Sequence, residues 1–395
     1  MTNSSSHNVN PIEDDNEPIQ VVFANAPQRS LFAKINLRLP LVAMAIIALL
    51  AAMWGGLIRV GWQYPPIVQI VPAVHGPLVM VGFLGTLISI ERAVALRLRW
   101  AYLAPVLSVL GTIIFFLNLD HHVSIFVAAL SSIALLMIFA VIVNRHLTLA
   151  TGTMALGAVL WVLGNLIWLA DSPVYRIVNW WAGFLILTIV GERLELSRIQ
   201  RLSQRVLGLY AIGLGIFLTG LLLDFLEGQF DTATVFGARV LGLGMLAMAL
   251  WLARFDIARR TIRQQGLTRF IAVCLLLGYV WLGVSGVLHL YIGGATGGFI
   301  YDAMLHTVFL GFVISMIFGH APIILPAVLG RAIPYHPRFY AHLALLHASL
   351  VLRIVGDLTL TASLRQWGAL LNVVAVLLFL FATLSVIVQT IRVDQ

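Results

Sequence analysis

Apolar residues in this chain do not alternate with polar ones. They come in unbroken runs of roughly 17–25 residues, the length an α-helix needs to cross the hydrocarbon of a bilayer. The runs fall near 38–59, 67–90, 101–118, 123–143, 150–169, 177–191, 207–226, 237–253, 270–291, 302–329, 339–356 and 367–390. This pattern predicts an all-α, polytopic membrane bundle of about twelve transmembrane helices joined by short loops, with no soluble domain inserted. Residues 1–36 are polar and contain the acidic run Glu13-Asp14-Asp15-Asn16-Glu17. They lack a basic segment followed by a short apolar stretch and a cleavage site, so they read as a disordered cytoplasmic tail ahead of a transmembrane domain over 37–395.

Composition narrows the class. Hydrophobic residues make up 61% of the chain and charged residues 10%, against roughly 25% charged in a soluble domain. The mean hydropathy is +0.99, so lipid is the expected solvent and partner. A net charge of +8 would suit nucleic acid. The basic residues, however, sit in short loops between apolar runs rather than on one soluble face, which excludes that partner. With the N-terminus inside, only Arg59, Arg176, Arg239, Arg353 and Arg365 fall outside, and the other nineteen of the 24 Lys and Arg residues fall inside. That is the bias of the positive-inside rule. One missed or added span would scramble it, so it supports twelve spans with both termini cytoplasmic. Trp62, Tyr64, Tyr175, Trp180, Trp181, Tyr291 and Tyr301 are expected to form an interfacial belt on the outer edge. The single cysteine, Cys274, permits no internal disulfide, CxxC pair or CxxCH haem attachment.

An internal repeat runs through the helices. Helix 2 reads Gly82-Phe83-Leu84 and then Glu91-Arg92; helix 6 reads Gly183-Phe184-Leu185 and then Glu192-Arg193. Helix 10 reads Gly311-Phe312-Val313, with His320 at the spacing of the two glutamates. A pattern recurring every four helices in one direction predicts three four-helix units about a pseudo-threefold axis. Two inverted halves would not produce it. Glu91-Arg92 and Glu192-Arg193, at the inner helix ends, read as interfacial ion pairs, or more sharply as a proton entry point.

Histidines at membrane depth are the candidate chemistry, because burying an ionisable group costs free energy unless it has partners. His75, His289 and His306 share an outer depth. His320 lies fourteen residues beyond His306, roughly 21 Å deeper along a helix, near His342 and His347. Neutral imidazole is a strong ligand for haem iron and copper. His75 and His306, one from each of two helices, are the expected pair, with the small residues Gly76, Gly82 and Gly85 following along helix 2, Gly82 on the face of His75, to leave room for a flat macrocycle. The opposing expectation is interhelical hydrogen bonding. His289 and His320 are further candidate metal ligands. Asp302 is a candidate orienting acceptor for His306, or a wet helix-terminal residue. His121 and His122 are expected in an outer loop; His7, His146 and His336 are expected in solvent.

The segment HGPLVMVGFLGTLISIERAVAL from His75 resembles the second helix of haem-copper oxidase catalytic subunits, where a histidine ligates the low-spin haem. His306 in helix 10 matches the other ligand of that family by helix and depth. The segment DAMLHTVFLGFVISMIFGHAPIILPAVLGR also resembles the NnrS family, twelve-helix haem- and copper-containing membrane proteins tied to nitric-oxide metabolism and stress. The resemblance implies a haem-copper-oxidase-subunit-like fold in a bacterial inner membrane, haem b at His75 and His306, and copper through His289. It also implies nitric oxide or a redox partner. Helices 6 and 7 carry no histidine and helix 10 lacks a His-x-His pair, so no oxygen-reducing binuclear centre is expected. Two other readings compete: a cofactor-free, proton-coupled secondary transporter, and an accessory or assembly subunit of a respiratory complex.

Overall fold

The computed structural model describes residues 37–197, 200, 202–230, 234–329 and 334–393. The expected N-terminal tail, including His7, lies outside the described residues. Among the described residues the chain is all-α, and twelve helices are long and apolar enough to cross a membrane. They are α1 (Arg38–Arg59), α2 (His75–Leu96), α3 (Arg99–Phe116), α4 (His121–Arg145), α5 (Leu149–Leu169) and α6 (Val174–Ser197), followed by α7 (Gln204–Gln229), α8 (Phe236–Phe255), α9 (Gly266–Ile292), α10 (Gly298–Pro326), α11 (Phe339–Leu358) and α12 (Ala362–Ser385). Short connections make consecutive helices pack side by side, most extensively α5 with α6, α7 with α8, and α11 with α12.

Most boundaries fall within a few residues of those expected; α2 is the exception. It starts at His75 rather than near 67, and residues 67–74 form turns. Pro65, Pro66 and Pro72 lie in or beside that stretch, and each lacks the N–H a helix needs. Pro77, inside the first turn of α2, is tolerated because its N–H would have had no intrahelical acceptor. His121 and His122 are not in a loop. They form the first turn of α4, capped by the Asp120 carboxylate, which accepts from the backbone N–H of His122 at 2.8 Å and of Val123 at 3.3 Å. A short helix, Ala258–Thr261, joins α8 to α9.

The three helices that share the Gly-Phe pattern are the most enclosed. Burial reaches 72% of the apolar window of α6 and 61% of those of α2 and α10, against at most 56% elsewhere. α10 touches both α2 and α6. Within α2 the eight residues Leu78–Gly85 are π-helical, and within α10 the eight residues Thr307–Ile314 are too. The pattern glycine, Gly82 or Gly311, is the fifth residue of each segment. α6 is α-helical throughout. A π-helix bonds i to i+5 and is rare outside functional sites, so two in the same register are a shared feature of α2 and α10.

Candidate functional site

His75 and His306 come together at one end of the bundle. The His75 Nδ1–H donates to the carbonyl oxygen of Ala52 on α1 at 2.6 Å, and the His306 Nδ1–H donates to the carbonyl of Asp302 at 2.8 Å. A carbonyl can only accept, so both rings carry their proton on Nδ1 and present a bare Nε2 lone pair, the state in which imidazole binds a metal. The ring centroids are 6.5 Å apart and the planes differ by 28°. Two imidazoles bound to one metal from opposite sides, at about 2.0 Å per bond, would place their centroids roughly 6 Å apart.

The two rings open onto a cavity of about 370 Å³. Its apolar wall includes Leu84 of α2, Trp181 of α6, and Phe309 and Leu310 of α10, and its cations are Arg59, Arg353 and Arg365. Gly56 makes room for the first ring, since a Cβ there would lie 2.9 Å from His75 Cε1.

Asp302 holds the second ring in place, but not as a wet terminal residue. It is buried, and Arg353 grips its carboxylate with two hydrogen bonds of 2.7 and 2.9 Å. Arg365 lies 3.2 Å from Asp302 Oδ1 and 3.2 Å from Asp357 Oδ1. The Asp302 carboxylate sits 3.5 Å from His306 Nδ1, further than its own carbonyl, so the backbone orients the imidazole and the carboxylate adds charge beside it.

Gly82 and Gly85 do not line this cavity. A Cβ on Gly82 would meet Ala48 and Thr112, and one on Gly85 would meet Trp161, so both allow close helix packing. The expected seven-residue alignment of His75 with Gly82 holds for an α-helix, and the intervening π-helical residues rotate Gly82 off that face.

His289 is buried and lines a neighbouring cavity of about 280 Å³ with Asp224 and Asn179. That cavity shares Tyr175, Val178, Thr296, Tyr301 and Leu305 with the larger one, but neither His75 nor His306 lines it.

His320 lies at the other end of the bundle with both nitrogens engaged: Nδ1–H donates to the Met316 carbonyl at 2.7 Å, and Nε2 accepts from Arg193 at 3.0 Å. There Arg92 of α2 pairs with Glu91 at 2.9 Å and with Glu192 of α6, while Arg193 of α6 reaches His320 of α10. The expected ion pairing is present, and each arginine of the pattern contacts the next helix of the set.

His347 accepts from Trp281 Nε1 at 2.8 Å, and His342 packs against Phe318 and Phe379. His342 is buried and His347 half-buried. His146 and His336 are exposed, as expected. Trp180 and Trp181, expected in the belt, are buried.

The donor set decides which group the pair fits. Among the described residues no three or more His, Cys, Asp or Glu side chains gather as a metal site. Two imidazoles alone suit a metal that arrives with its own equatorial ligands, as haem iron does, better than a bare ion that needs four protein donors. The residues present fit a haem: His75 and His306 would hold it, and the arginines offer partners for its carboxylates. Gly56 and Arg59 were not legible as site residues in the sequence. Arg353 was not either; in the sequence it reads, like Arg59, only as one of the few outside charges.

No curated protein and no solved structure matches the chain. One family does, described as "Domain of unknown function (DUF8744)", over residues 38–388. The match takes in all twelve helices up to the last turns of the chain, and on that extent the protein belongs to the DUF8744 family.

Proposed function

We propose that the protein is a haem-binding integral membrane protein that transfers electrons, with His75 and His306 as the residues that would hold one haem b. One observation carries the reading: two imidazoles from separate helices, each fixed through Nδ1 by a backbone carbonyl, stand 6.5 Å apart across an apolar cavity. The bound haem would supply one-electron chemistry. The chain's own residues hold the two Nε2 lone pairs in place, exclude water with Trp181, Phe309 and Leu310, and set positive charge beside the site through Arg59, Arg353 and Arg365.

Held by both His75 and His306, a bound haem would supply electron-transfer chemistry rather than a free position for a ligand. That favours electron transfer over direct nitric-oxide chemistry, the other role implied by the NnrS resemblance. His289 lines the adjoining cavity and not the one that His75 and His306 line, so the reading assigns the haem to that pair alone. The enclosed α2, α6 and α10, and the shared register of their Gly-Phe patterns, support a pseudo-threefold arrangement like that of haem-copper oxidase subunits. The arginine bias supports a bacterial inner membrane with both termini cytoplasmic, which would place the His75 end outside.

The test is a visible spectrum of purified protein, reduced and oxidised, with and without nitric oxide. A Soret band that nitric oxide leaves in place supports electron transfer, and a band that shifts on nitric oxide supports the ligand-binding role. A colourless protein that binds a solute would instead support the transporter reading. A colourless protein that co-purifies with a respiratory complex would support the accessory-subunit reading.

A further inference from the structure

A second site is built at the opposite end of the bundle, where the α8–α9 connection meets the start of α7. A cleft of about 580 Å³ is lined there by Arg254, Arg259, Arg260 and Arg263, together with Gln200 and Ser203. Asp256 is the one carboxylate in its wall; its Oδ1 accepts from the backbone N–H of Ala258 at 2.7 Å, and its buried Oδ2 has no hydrogen-bond partner. Among the described residues none of the four arginines pairs with a carboxylate, and Arg254 has only the ring of Phe255, 5.2 Å away. Gln200 adds a buried Nε2 donor with no acceptor.

Four guanidinium groups around one space repel one another, and each offers a planar fork of donors that matches phosphate oxygens. An orphan amide donor in the same wall points to an acceptor-rich ligand. The depth of the cleft indicates where that ligand comes from. The arginines lie at and just beyond the end of α8 at Phe255 and before α9 begins at Gly266, the level of lipid headgroups. Along the bundle from them, α7 is the least enclosed helix, with 28% of its window buried, and it exposes Leu209 and Ile212; α8 exposes Leu250. Exposed apolar side chains on the two helices that end at the cleft offer surface for acyl chains while the phosphate sits among the arginines.

We infer that this cleft binds the phosphate of an anionic phospholipid, with Arg254, Arg259, Arg260 and Arg263 as its ligands. The inference does not rest on the haem reading. A polybasic site at a membrane surface gains affinity with every arginine that faces the headgroup.

The full-length protein in detergent tests it. Phosphatidylglycerol, phosphatidylcholine and inorganic phosphate are added separately. Retained lipid is counted by native mass spectrometry, and the thermal midpoint is recorded. Phosphatidylglycerol is expected to stay bound and raise the midpoint, with phosphatidylcholine doing neither. The double variant Arg259→Gln/Arg260→Gln should weaken retention about tenfold or more. Arg145→Gln, at the exposed end of α4, should leave it unchanged, and the visible spectrum should not move in either variant. Equal retention of the two lipids, or undiminished retention by the double variant, overturns the inference. An equal midpoint shift with inorganic phosphate overturns the lipid assignment. The comparison of lipids on the unaltered protein decides the matter even if the double variant does not fold.

Discussion

His306 and His320 lie on the same helix, and each gives its Nδ1 proton to the carbonyl four residues back, at 2.8 and 2.7 Å. Locally they are the same motif. They differ in what stands across the bundle. His306 stands 6.5 Å from His75, ring centroid to ring centroid, and both line a cavity. The Nε2 of His320 is closed by the guanidinium of Arg193. An i−4 carbonyl fixes a tautomer, but a ligand is made only where nothing else accepts or donates at the second nitrogen. One end of the bundle therefore places two imidazoles beside a cavity, and at the other the imidazole is tied into a network of arginines and glutamates.

The largest expected effect separates these two histidines directly. His306→Ala and His75→Ala should each abolish the Soret band of the purified protein, while His320→Ala should leave it intact. A band that survives either of the first two changes would break the comparison.

Next comes the support of His306. Asp302→Asn leaves Arg353 buried without its carboxylate, at an expected cost of about 3 kcal/mol, read as a lowered thermal midpoint. Arg353→Met combined with Asp302→Asn should recover part of it, because no buried charge then lacks a partner at that pair.

The glycines sharpen the same contrast at smaller cost. Gly85→Ala drives a Cβ into Trp161 and should destabilise by roughly 1–3 kcal/mol without changing the spectrum. Gly56→Ala crowds the His75 ring and should shift or weaken the band with less effect on the midpoint.

Smallest is Arg193→Gln, which removes the partner of His320 and should cost about 1 kcal/mol with no spectral change.

Much of this was legible in the chain. Unbroken apolar runs determined the number and approximate limits of the helices, because a helix that satisfies its own backbone needs nothing from its neighbours to be recognised in lipid. The candidate pair, His75 and His306, could be named for a similar reason: an ionisable side chain in an apolar run demands a partner. The Gly-Phe spacing likewise marked out α2, α6 and α10, the three helices that turn out to be most enclosed.

What the sequence left open depended on rotation and on partners distant in the chain. The π-helical segments of α2 and α10 change the phase of every residue after them, and no residue type announces such a segment; the face that Gly82 takes depends on that phase. Whether His289, His306 and His320 end beside a cavity, a carboxylate or an arginine is set by side chains up to 127 residues away. Periodicity along one helix carries no information about which neighbour it meets, so only tertiary packing could distinguish an open imidazole from a capped one.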